Sequence, residues 1–162
     1  MAAGKSAAGR KQYMKKIIIM IILAGVLSCS KKSVFTEVKN DMESIVTETS
    51  KVYEAIDREQ EELPEIDTSK IRELNNKFKE KYKETKMEAG TQYEQVCREA
   101  TASFGGRVDG FLKMYQERLE AKKNPKLTKT LNLIYAKTNL RINLEDQKNF
   151  FKVCELAANE KK

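Results

Sequence analysis

Apolar residues recur every three or four positions along most of the chain, and this spacing predicts α-helices. The first apolar stripe predicts a helix from about Ser33 to Leu63, with charged residues on its remaining faces. Pro64 predicts the end of this helix, because proline disfavours helical geometry in the residue before it. Thr49 is the one polar residue in the stripe. The apolar members of the stripe are Phe35, Val38, Met42, Ile45, Val52 and Ile56.

A second stripe follows Asp67 or Thr68, either of which suits an N-cap position. Gly105-Gly106 then predicts a kink or a break, because two glycines cost ~2 kcal/mol relative to alanine inside a helix. Whether residues 68–123 form one bent helix or two helices stays open at this point. The aromatic residues of the stripe form either a binding surface or core, and their helical spacing favours core. The stripe contains Ile71, Leu74, Phe78, Tyr82, Ala89, Tyr93, Val96, Ala100 and Phe104, and it resumes after the glycines with Val108, Phe111, Leu112, Tyr115 and Leu119.

Two further helices are predicted towards the C-terminus. Asn124-Pro125 matches an N-cap followed by proline at the first helical position. Asn143 is the predicted N-cap of the last helix, whose first turn carries Glu145 and Asp146 where they complement the helix dipole. The predicted buried residues are Leu127, Leu131, Ile134 and Tyr135 in the first of these helices and Phe150, Val153, Cys154 and Ala157 in the second.

These patterns together predict an all-α fold. No segment shows the alternating pattern of a strand, and the chain contains no internal repeat or low-complexity tract. We expect an elongated helical hairpin, formed by the helices of the first two stripes, which two or three shorter helices close into a helical bundle. This single helical domain is expected to cover residues 34–162.

The longest uninterrupted apolar run lies near the N-terminus. Lys15 and Lys16 precede it, the run itself covers Ile17–Leu27, and Ser28 stands directly before Cys29. A charged segment, an apolar segment and a small residue at the cleavage point are the parts of a secretory signal. The run contains 11 residues, whereas a membrane-spanning helix needs ~20. The pattern therefore favours a signal peptide over a membrane span.

This segment resembles the signal peptide of bacterial lipoproteins. The resemblance implies that residues 1–28 are a leader, that Cys29 becomes the lipid-modified first residue, and that residues 29–33 form a lipidated tether. Ser30 at the following position resembles lipoproteins that are sent to the outer membrane. We therefore expect a lipid-anchored protein of the bacterial envelope, more specifically of the outer membrane, that is periplasmic or surface-exposed.

Most of the net positive charge of the chain belongs to the leader. Five of the 31 basic residues and none of the 24 acidic residues lie in 1–28, which leaves 26 basic residues and a net charge of +2 in residues 29–162, against +7 for the whole chain. A nearly neutral mature chain argues against nucleic acid as a partner. Residues 1–13 are either an extension of the charged segment or a mis-assigned start, with translation beginning at Met14.

The composition also argues against catalysis. The chain contains no histidine, which removes the commonest general base and the Ser-His and Cys-His nucleophile pairs. Carboxylate pairs such as Glu80 with Glu84 lie on charge-rich helices, where solvated faces are expected. No recognisable spacing of metal ligands is present. We therefore predict no catalytic residue, no metal site, no cofactor and no enzymatic activity.

Cys97 and Cys154 form an even pair if Cys29 carries lipid. In an exported protein such a pair favours a disulfide. The bridge would close a loop of about 57 residues and stabilise the fold by ~4 kcal/mol in the chain-entropy model. Two buried free thiols, which pack like small apolar side chains, are the alternative.

The predicted function is that of a non-enzymatic lipoprotein that binds a protein partner through its helical surface, as an adhesin or an envelope scaffold. The alternative is an inhibitor or immunity-type lipoprotein that blocks an enzyme, and oligomer formation is open. One cluster of basic residues near the Asn124-Pro125 turn is either a contact patch for an acidic protein, anionic lipid or polysaccharide, or a solvated helix end. This basic patch consists of Arg118, Lys122, Lys123, Lys126 and Lys129.

Overall fold

The computed structural model describes residues 33–160, which belong to one compact unit. The predicted signal peptide and the predicted lipidation of Cys29 lie outside the described residues. The structure contains four helices and, within 33–160, no strand, so the all-α prediction is confirmed. The helices are α1 (Val34–Arg58), α2 (Ser69–Tyr82), α3 (Gln92–Ala121) and α4 (Lys129–Asn159).

The four helices form an antiparallel bundle in which each helix packs against its two neighbours. α1 and α2 are antiparallel. Glu48 forms an ion pair with Lys70 near the start of α2, whereas Asp41, nearer the start of α1, forms one with Lys81 near the end of α2. The α3–α4 and α1–α4 interfaces are the most extensive, whereas α1 and α3 touch only briefly across the diagonal. The connections between α1 and α2 and between α3 and α4 therefore lie at the same end of the bundle, which brings Glu62 to Lys122.

α1 matches the predicted pattern closely. All six predicted apolar residues and Thr49 are buried, and Val46 joins them. The Thr49 hydroxyl donates a hydrogen bond to the carbonyl oxygen of Ile45 at 2.9 Å, so the one polar residue of the stripe is satisfied by its own helix. A single apolar face thus packs into the core, and charged residues cover the other faces.

The predicted end of α1 at Leu63 is wrong, because the helix ends at Arg58. Leu63 is buried all the same, in the connection to α2. Tyr115 of α3 holds this connection: its hydroxyl donates to the carbonyl oxygen of Pro64 and accepts a hydrogen bond from the backbone N–H of Ile66, both at 2.7 Å. Leaving the helix early lets the chain bury Leu63 and reach these two hydrogen bonds.

The kink or break predicted at Gly105-Gly106 is wrong. The chain leaves the helix earlier, at residues 83–91 between α2 and α3. Thr91 starts α3 with a capping box: its hydroxyl accepts from the N–H of Glu94 at 3.2 Å, and the Glu94 carboxylate accepts from the N–H of Thr91. The carboxylate also accepts from the N–H of Gly90 at 2.7 Å. This cap satisfies backbone donors that a new helix leaves open, which favours a start here.

Gly105 remains inside α3 because α2 packs directly on it. A Cβ atom at Gly105 would lie 2.5 Å from Cγ of Lys79. The side-chain amide of Asn75 donates to the carbonyl oxygen of Gly105 at 3.0 Å and to the carboxylate of Asp109 at 2.8 Å. The close approach and these hydrogen bonds offset the intrinsic cost of glycine in a helix.

The two predicted C-terminal helices are one helix, α4. Thr128 is its N-cap, and its hydroxyl accepts from the N–H of Leu131 at 3.2 Å. Asn124-Pro125 instead belongs to the preceding turn, where the Asn124 side chain accepts from the N–H of Lys126 at 3.0 Å. Asn143, the predicted N-cap, lies in the middle of α4 and is buried.

The predicted buried face of the first half of α4 is also wrong. Leu131, Ile134 and Tyr135 are exposed, and Leu127 is half-buried in the turn. Tyr93 and Val96 at the start of α3 are exposed as well, although the sequence placed them in the core stripe. The buried residues of α4 are Asn132, Leu133, Ala136, Leu140, Asn143, Leu144, Gln147, Cys154 and Ala157.

The predicted disulfide between Cys97 and Cys154 is confirmed. The two Cα atoms lie 4.7 Å apart, and both residues are fully buried. The bridge joins the first half of α3 to the last turns of α4. Phe150 and Val153 are half-buried beside it, so the second predicted face of α4 is mostly correct.

Candidate interaction surface

The exposed apolar residues of the bundle concentrate on one helix. Of the seven large apolar residues that are exposed within 33–160, five belong to α4. Four of these lie within twelve positions and form what we call the α4 outer stripe. The stripe consists of Leu131 (39% exposed), Ile134 (53%), Tyr135 (45%) and Ile142 (56%).

Helical geometry brings these four side chains onto one face. Ile134, Tyr135 and Ile142 follow Leu131 by three, four and eleven positions, which are helical repeats. The stripe is ~16 Å long at 1.5 Å per residue. Thr138, seven positions after Leu131, lies on the same face and is exposed. The result is a continuous ridge about three turns long that points away from the bundle.

The opposite face of α4, which packs into the bundle, is unusually polar. Asn132, Asn143 and Gln147 are buried there. The Asn132 amide donates to the carbonyl oxygen of Arg118 at 2.8 Å. However, Oδ1 of Asn132, Oδ1 of Asn143 and both amide atoms of Gln147 have no hydrogen-bond partner among the described residues. α4 therefore buries costly amides while it exposes large apolar side chains.

Sequence reasoning missed the α4 outer stripe because α4 carries two apolar stripes. The signal was present: Leu131, Ile134 and Tyr135 repeat at helical spacing, but so do Leu133, Ala136, Leu140 and Leu144. Only one of the two stripes can face the bundle. Periodicity alone therefore could not decide which stripe is buried, although the presence of two stripes showed that one of them would be exposed.

Two lysines of the predicted basic patch serve the fold. Lys122 and Lys129 both pair with Glu62, at 3.0 Å and 2.6 Å. Hydrogen bonds from Lys129 and then from Lys122 hold the pKa of Glu62 below its ordinary value, and the same contact with Glu62 raises the pKa of Lys129. Glu62 thus ties the α1–α2 connection to both ends of the α3–α4 turn.

The remaining members of the patch lie differently. The guanidinium of Arg118 lies 5.5 Å from the ring centre of Tyr135, so it borders the α4 outer stripe on the α3 side. Lys123 and Lys126 are exposed and form no ion pair within the described residues. The structure therefore brings the predicted residues to one end of the bundle, but it divides them between an internal brace and free surface charge.

Two further cations, Lys137 and Arg141, lie on α4 in the part that carries the stripe. The ammonium group of Lys137 donates to the backbone carbonyl oxygens of Asp57 and Glu59, each at 2.6 Å. These contacts satisfy carbonyl groups at the end of α1, where a cation complements the helix dipole. Arg141 is exposed next to Ile142, and it forms no ion pair in the described part of the chain.

Elsewhere, polar clusters join helices to one another. The Tyr82 hydroxyl donates to the Asp41 carboxylate at 2.8 Å, and Lys81 contacts the same carboxylate at 2.9 Å and that of Glu37 at 3.3 Å. Burial, followed by the hydrogen bond to Asp41, raises the pKa of Tyr82, and the hydrogen bond to Asp41 raises the pKa of Lys81. The tyrosine stays neutral and the lysine charged, which suits a bridge between α1 and α2.

Within residues 33–160, no group of three or more carboxylate or thiol side chains is placed to hold a metal ion. In the same part of the chain, no helix combines the length and the apolarity needed to cross a membrane. The α4 outer stripe and the free cations around it are therefore the candidate site. Comparisons with protein-family models, with curated proteins and with solved structures give no match for this chain.

Proposed function

We propose that this chain is a non-enzymatic, lipid-anchored binding protein of the bacterial envelope, whose α4 outer stripe docks a protein partner. The observation that carries this proposal is the concentration of exposed large apolar residues on one face of one helix. Contiguous apolar surface of this kind, rimmed by polar and charged residues, is typical of protein interaction sites. Tyrosine and arginine, here represented by Tyr135 and Arg118, are also among the residue types enriched at the positions that dominate binding energies.

The support for α4 is consistent with a pre-organised binding surface. Asn132 and the Glu62 ion pairs hold the beginning of the helix, and the Cys97–Cys154 bridge holds its last turns. A partner therefore meets side chains on a helix that is already formed, and little backbone ordering opposes binding.

The membrane anchor in this proposal is the lipid on Cys29. It is supported by the signal-peptide pattern in the sequence: Lys15-Lys16, the apolar run Ile17–Leu27 and Ser28 before the cysteine. A single acyl chain binds membranes only marginally, so stable anchoring implies the multiply acylated form. Ser30 favours delivery to the outer membrane, by resemblance to lipoproteins sent there.

Site-specific photo-cross-linking in intact cells tests the binding surface. A photoreactive amino acid at position 134 is expected to cross-link one defined protein, and the same group at Asn76, which is exposed on α2, is the matched control. Cross-linking that is equal at the two positions, or absent at position 134, would contradict the proposal. If the captured partner is an enzyme that loses activity when bound, the protein acts as an inhibitor rather than as an adhesin or scaffold.

Metabolic labelling tests the anchor separately. Radiolabelled palmitate is expected to enter the wild type and not Cys29→Ser, because the thiol is the predicted acceptor. The Cys97→Ser variant serves as the control and should label like the wild type, since Cys97 belongs to the disulfide. Label in Cys29→Ser equal to that of the wild type would show that the anchor is wrong.

A further inference from the structure

We propose that the partner of the α4 outer stripe is an acidic protein helix, with an apolar face bordered by aspartate and glutamate. This inference rests on the proposed function and names the chemistry of the partner. It starts from the distribution of charge: residues 122–144 contain six basic residues and no acidic residue. The whole α4 outer stripe falls within this segment.

Part of this charge is used inside the bundle. Glu62 neutralises Lys122 and Lys129, and Lys137 is bound to two backbone carbonyl groups at the end of α1. The charges left for a partner are those of Lys123, Lys126 and Arg141, together with Arg118 beside Tyr135.

These free cations surround the stripe. Arg118 lies at its α3 edge, and Lys126 lies in the turn before its first residue. Arg141 follows Ile134 by seven positions, two helical turns, and so lies on the same side of α4 towards α1. Two acids are described on that side: Asp57, whose carboxylate accepts a hydrogen bond from Tyr53 at 3.4 Å, and Glu145, one turn after Arg141, which pairs with Lys148 at 3.4 Å. An apolar ridge with cations on several sides complements an apolar ridge with anions on its borders.

A helix is the partner element that fits the shape. The α4 outer stripe is a ridge of residues at helical spacing, in which the other three members follow Leu131 by three, four and eleven positions. The small side chain of Thr138 lies between Tyr135 and Ile142. Such ridges pack into the grooves of a second helix. A partner helix of about three turns covers the whole stripe.

The charges argue against a second copy of this chain. A symmetric dimer brings the same surface of both copies together. Residues 122–144 contain no acid, and Glu145, the exposed acid that follows them, already pairs with Lys148. Such a dimer would therefore offer the free cations of each copy no free carboxylate within this segment of the other.

The position of the stripe argues against the anchoring membrane as its occupant. α1 begins at Val34, four residues after Ser30, while the α3–α4 turn contacts Glu62 beyond the other end of α1. With 25 residues, α1 is ~37 Å long. The basic end of the stripe therefore lies at the end of α1 opposite Val34, where the chain that leads from Cys29 enters the bundle.

Two synthetic peptides test the inference on the purified full chain in neutral detergent. Both are amphipathic helices with the same leucine stripe; one carries glutamate beside the stripe and the other carries lysine. We expect the glutamate peptide to bind at least ~10-fold more tightly, with an affinity that falls as salt rises. The double variant Lys126→Glu/Arg141→Glu should reverse this preference, and Leu131→Ser/Ile134→Ser should abolish binding of both peptides.

The matched control makes the same charge change elsewhere. Lys77→Glu/Lys113→Glu reverses two exposed cations on α2 and α3, outside the stripe, and should leave both affinities unchanged. Circular dichroism on every variant verifies that the bundle is folded. A control variant that reverses the preference as strongly as Lys126→Glu/Arg141→Glu would overturn the inference, because net charge alone would then explain it.

Other outcomes overturn the inference in distinguishable ways. Equal binding of the two peptides, or binding of neither, removes the acidic partner but leaves the proposed function standing if position 134 still cross-links a protein in cells. Stripe-dependent binding to phosphatidylglycerol vesicles that exceeds peptide binding assigns the surface to lipid. A dimer in sedimentation that Ile134→Ser dissociates assigns it to a second copy. Absence of the position-134 cross-link contradicts the proposed function itself.

Discussion

α1 and α4 are both long helices of one bundle, yet they use their apolar residues in opposite ways. α1 buries every member of its single apolar stripe, and its one buried polar side chain is satisfied by its own backbone. α4 buries three amide side chains with atoms that lack a hydrogen-bond partner among residues 33–160, and it exposes five large apolar residues. α1 thus has one apolar face, which is buried, whereas α4 has a partly polar buried face and an apolar exposed face.

The difference shows what keeps α4 in place. A helix that buries Asn143 and Gln147 gains less from packing than a helix with a wholly apolar face, because unpaired buried amides cost free energy. The Cys97–Cys154 bridge compensates by joining α4 covalently to α3. Four predictions, taken from the largest expected effect to the smallest, test this comparison.

Removal of the disulfide should have the largest effect. The Cys97→Ala/Cys154→Ala variant is expected to lose ~4 kcal/mol of unfolding free energy, because the bridge closes a loop of 57 residues. Urea unfolding measures the loss, and hydrogen exchange should increase most in the last turns of α4. The wild type in reductant is the control and should lose stability in parallel. Non-reducing mass spectrometry should show the two cysteine peptides linked, and free alkylation of both thiols would contradict the bridge.

The same substitution on the two helices should separate core from surface. Ile45→Ala on α1 is expected to destabilise the protein by ~2–5 kcal/mol, because Ile45 is fully buried. Ile134→Ala on α4 should cost less than ~0.5 kcal/mol, because its side chain is 53% exposed. Urea unfolding measures both. Similar losses at the two positions would show that the α4 outer stripe is not a free surface.

Replacement of a buried amide on α4 should raise stability. Gln147→Met keeps the length of the side chain and removes two unsatisfied polar atoms, so we expect a gain of ~1 kcal/mol in unfolding free energy. Asn132→Leu is the contrasting control: it removes the hydrogen bond to the Arg118 carbonyl and should not stabilise. A loss of unfolding free energy in Gln147→Met would mean that the amide forms hydrogen bonds in solution. Burial of polar side chains would then cost α4 less free energy than the comparison with α1 implies.

The smallest effect concerns the brace at the start of α4. Ion pairs with Lys129 and Lys122 lower the pKa of Glu62 from its ordinary 4.5. A lowered pKa contributes stability above the unfolded value that is lost as pH falls through the folded value. Glu62→Gln should therefore flatten the stability profile only below about pH 4.5. Glu88→Gln, at an exposed position without an ion pair in the described residues, is the control. Identical profiles for the two variants would show that the ion pairs of Glu62 do not contribute to stability.

Local pattern was sufficient for much of this fold. The periodicity of Phe35 to Ile56 predicted the buried face of α1, because that helix carries apolar residues on one side only. The cysteine count favoured the Cys97–Cys154 bridge over two free thiols, because the signal-peptide pattern predicted export and an even pair of thiols in an exported protein favours pairing. The absence of any alternating segment predicted the all-α class.

Helix boundaries depended on contacts that no local rule contains. Gly105 looked like a break because glycine is costly in an isolated helix, but the approach of Lys79 and the hydrogen bond from Asn75 favour it in α3. Asn143 looked like an N-cap, and it became a buried position within α4 instead.

The sequence by itself determined which residues are apolar and at what helical spacing, and this was enough for an all-α fold and for the buried face of α1, but not for the helix boundaries. Only the tertiary structure decided which stripe of α4 faces the bundle. Periodicity measures the angle between side chains around one helix, whereas burial depends on where α1 and α3 lie beside it. α4 has two apolar stripes. Its neighbours α1 and α3 cover the one with Leu133 and Leu140, and the one with Ile134 and Ile142 stays exposed.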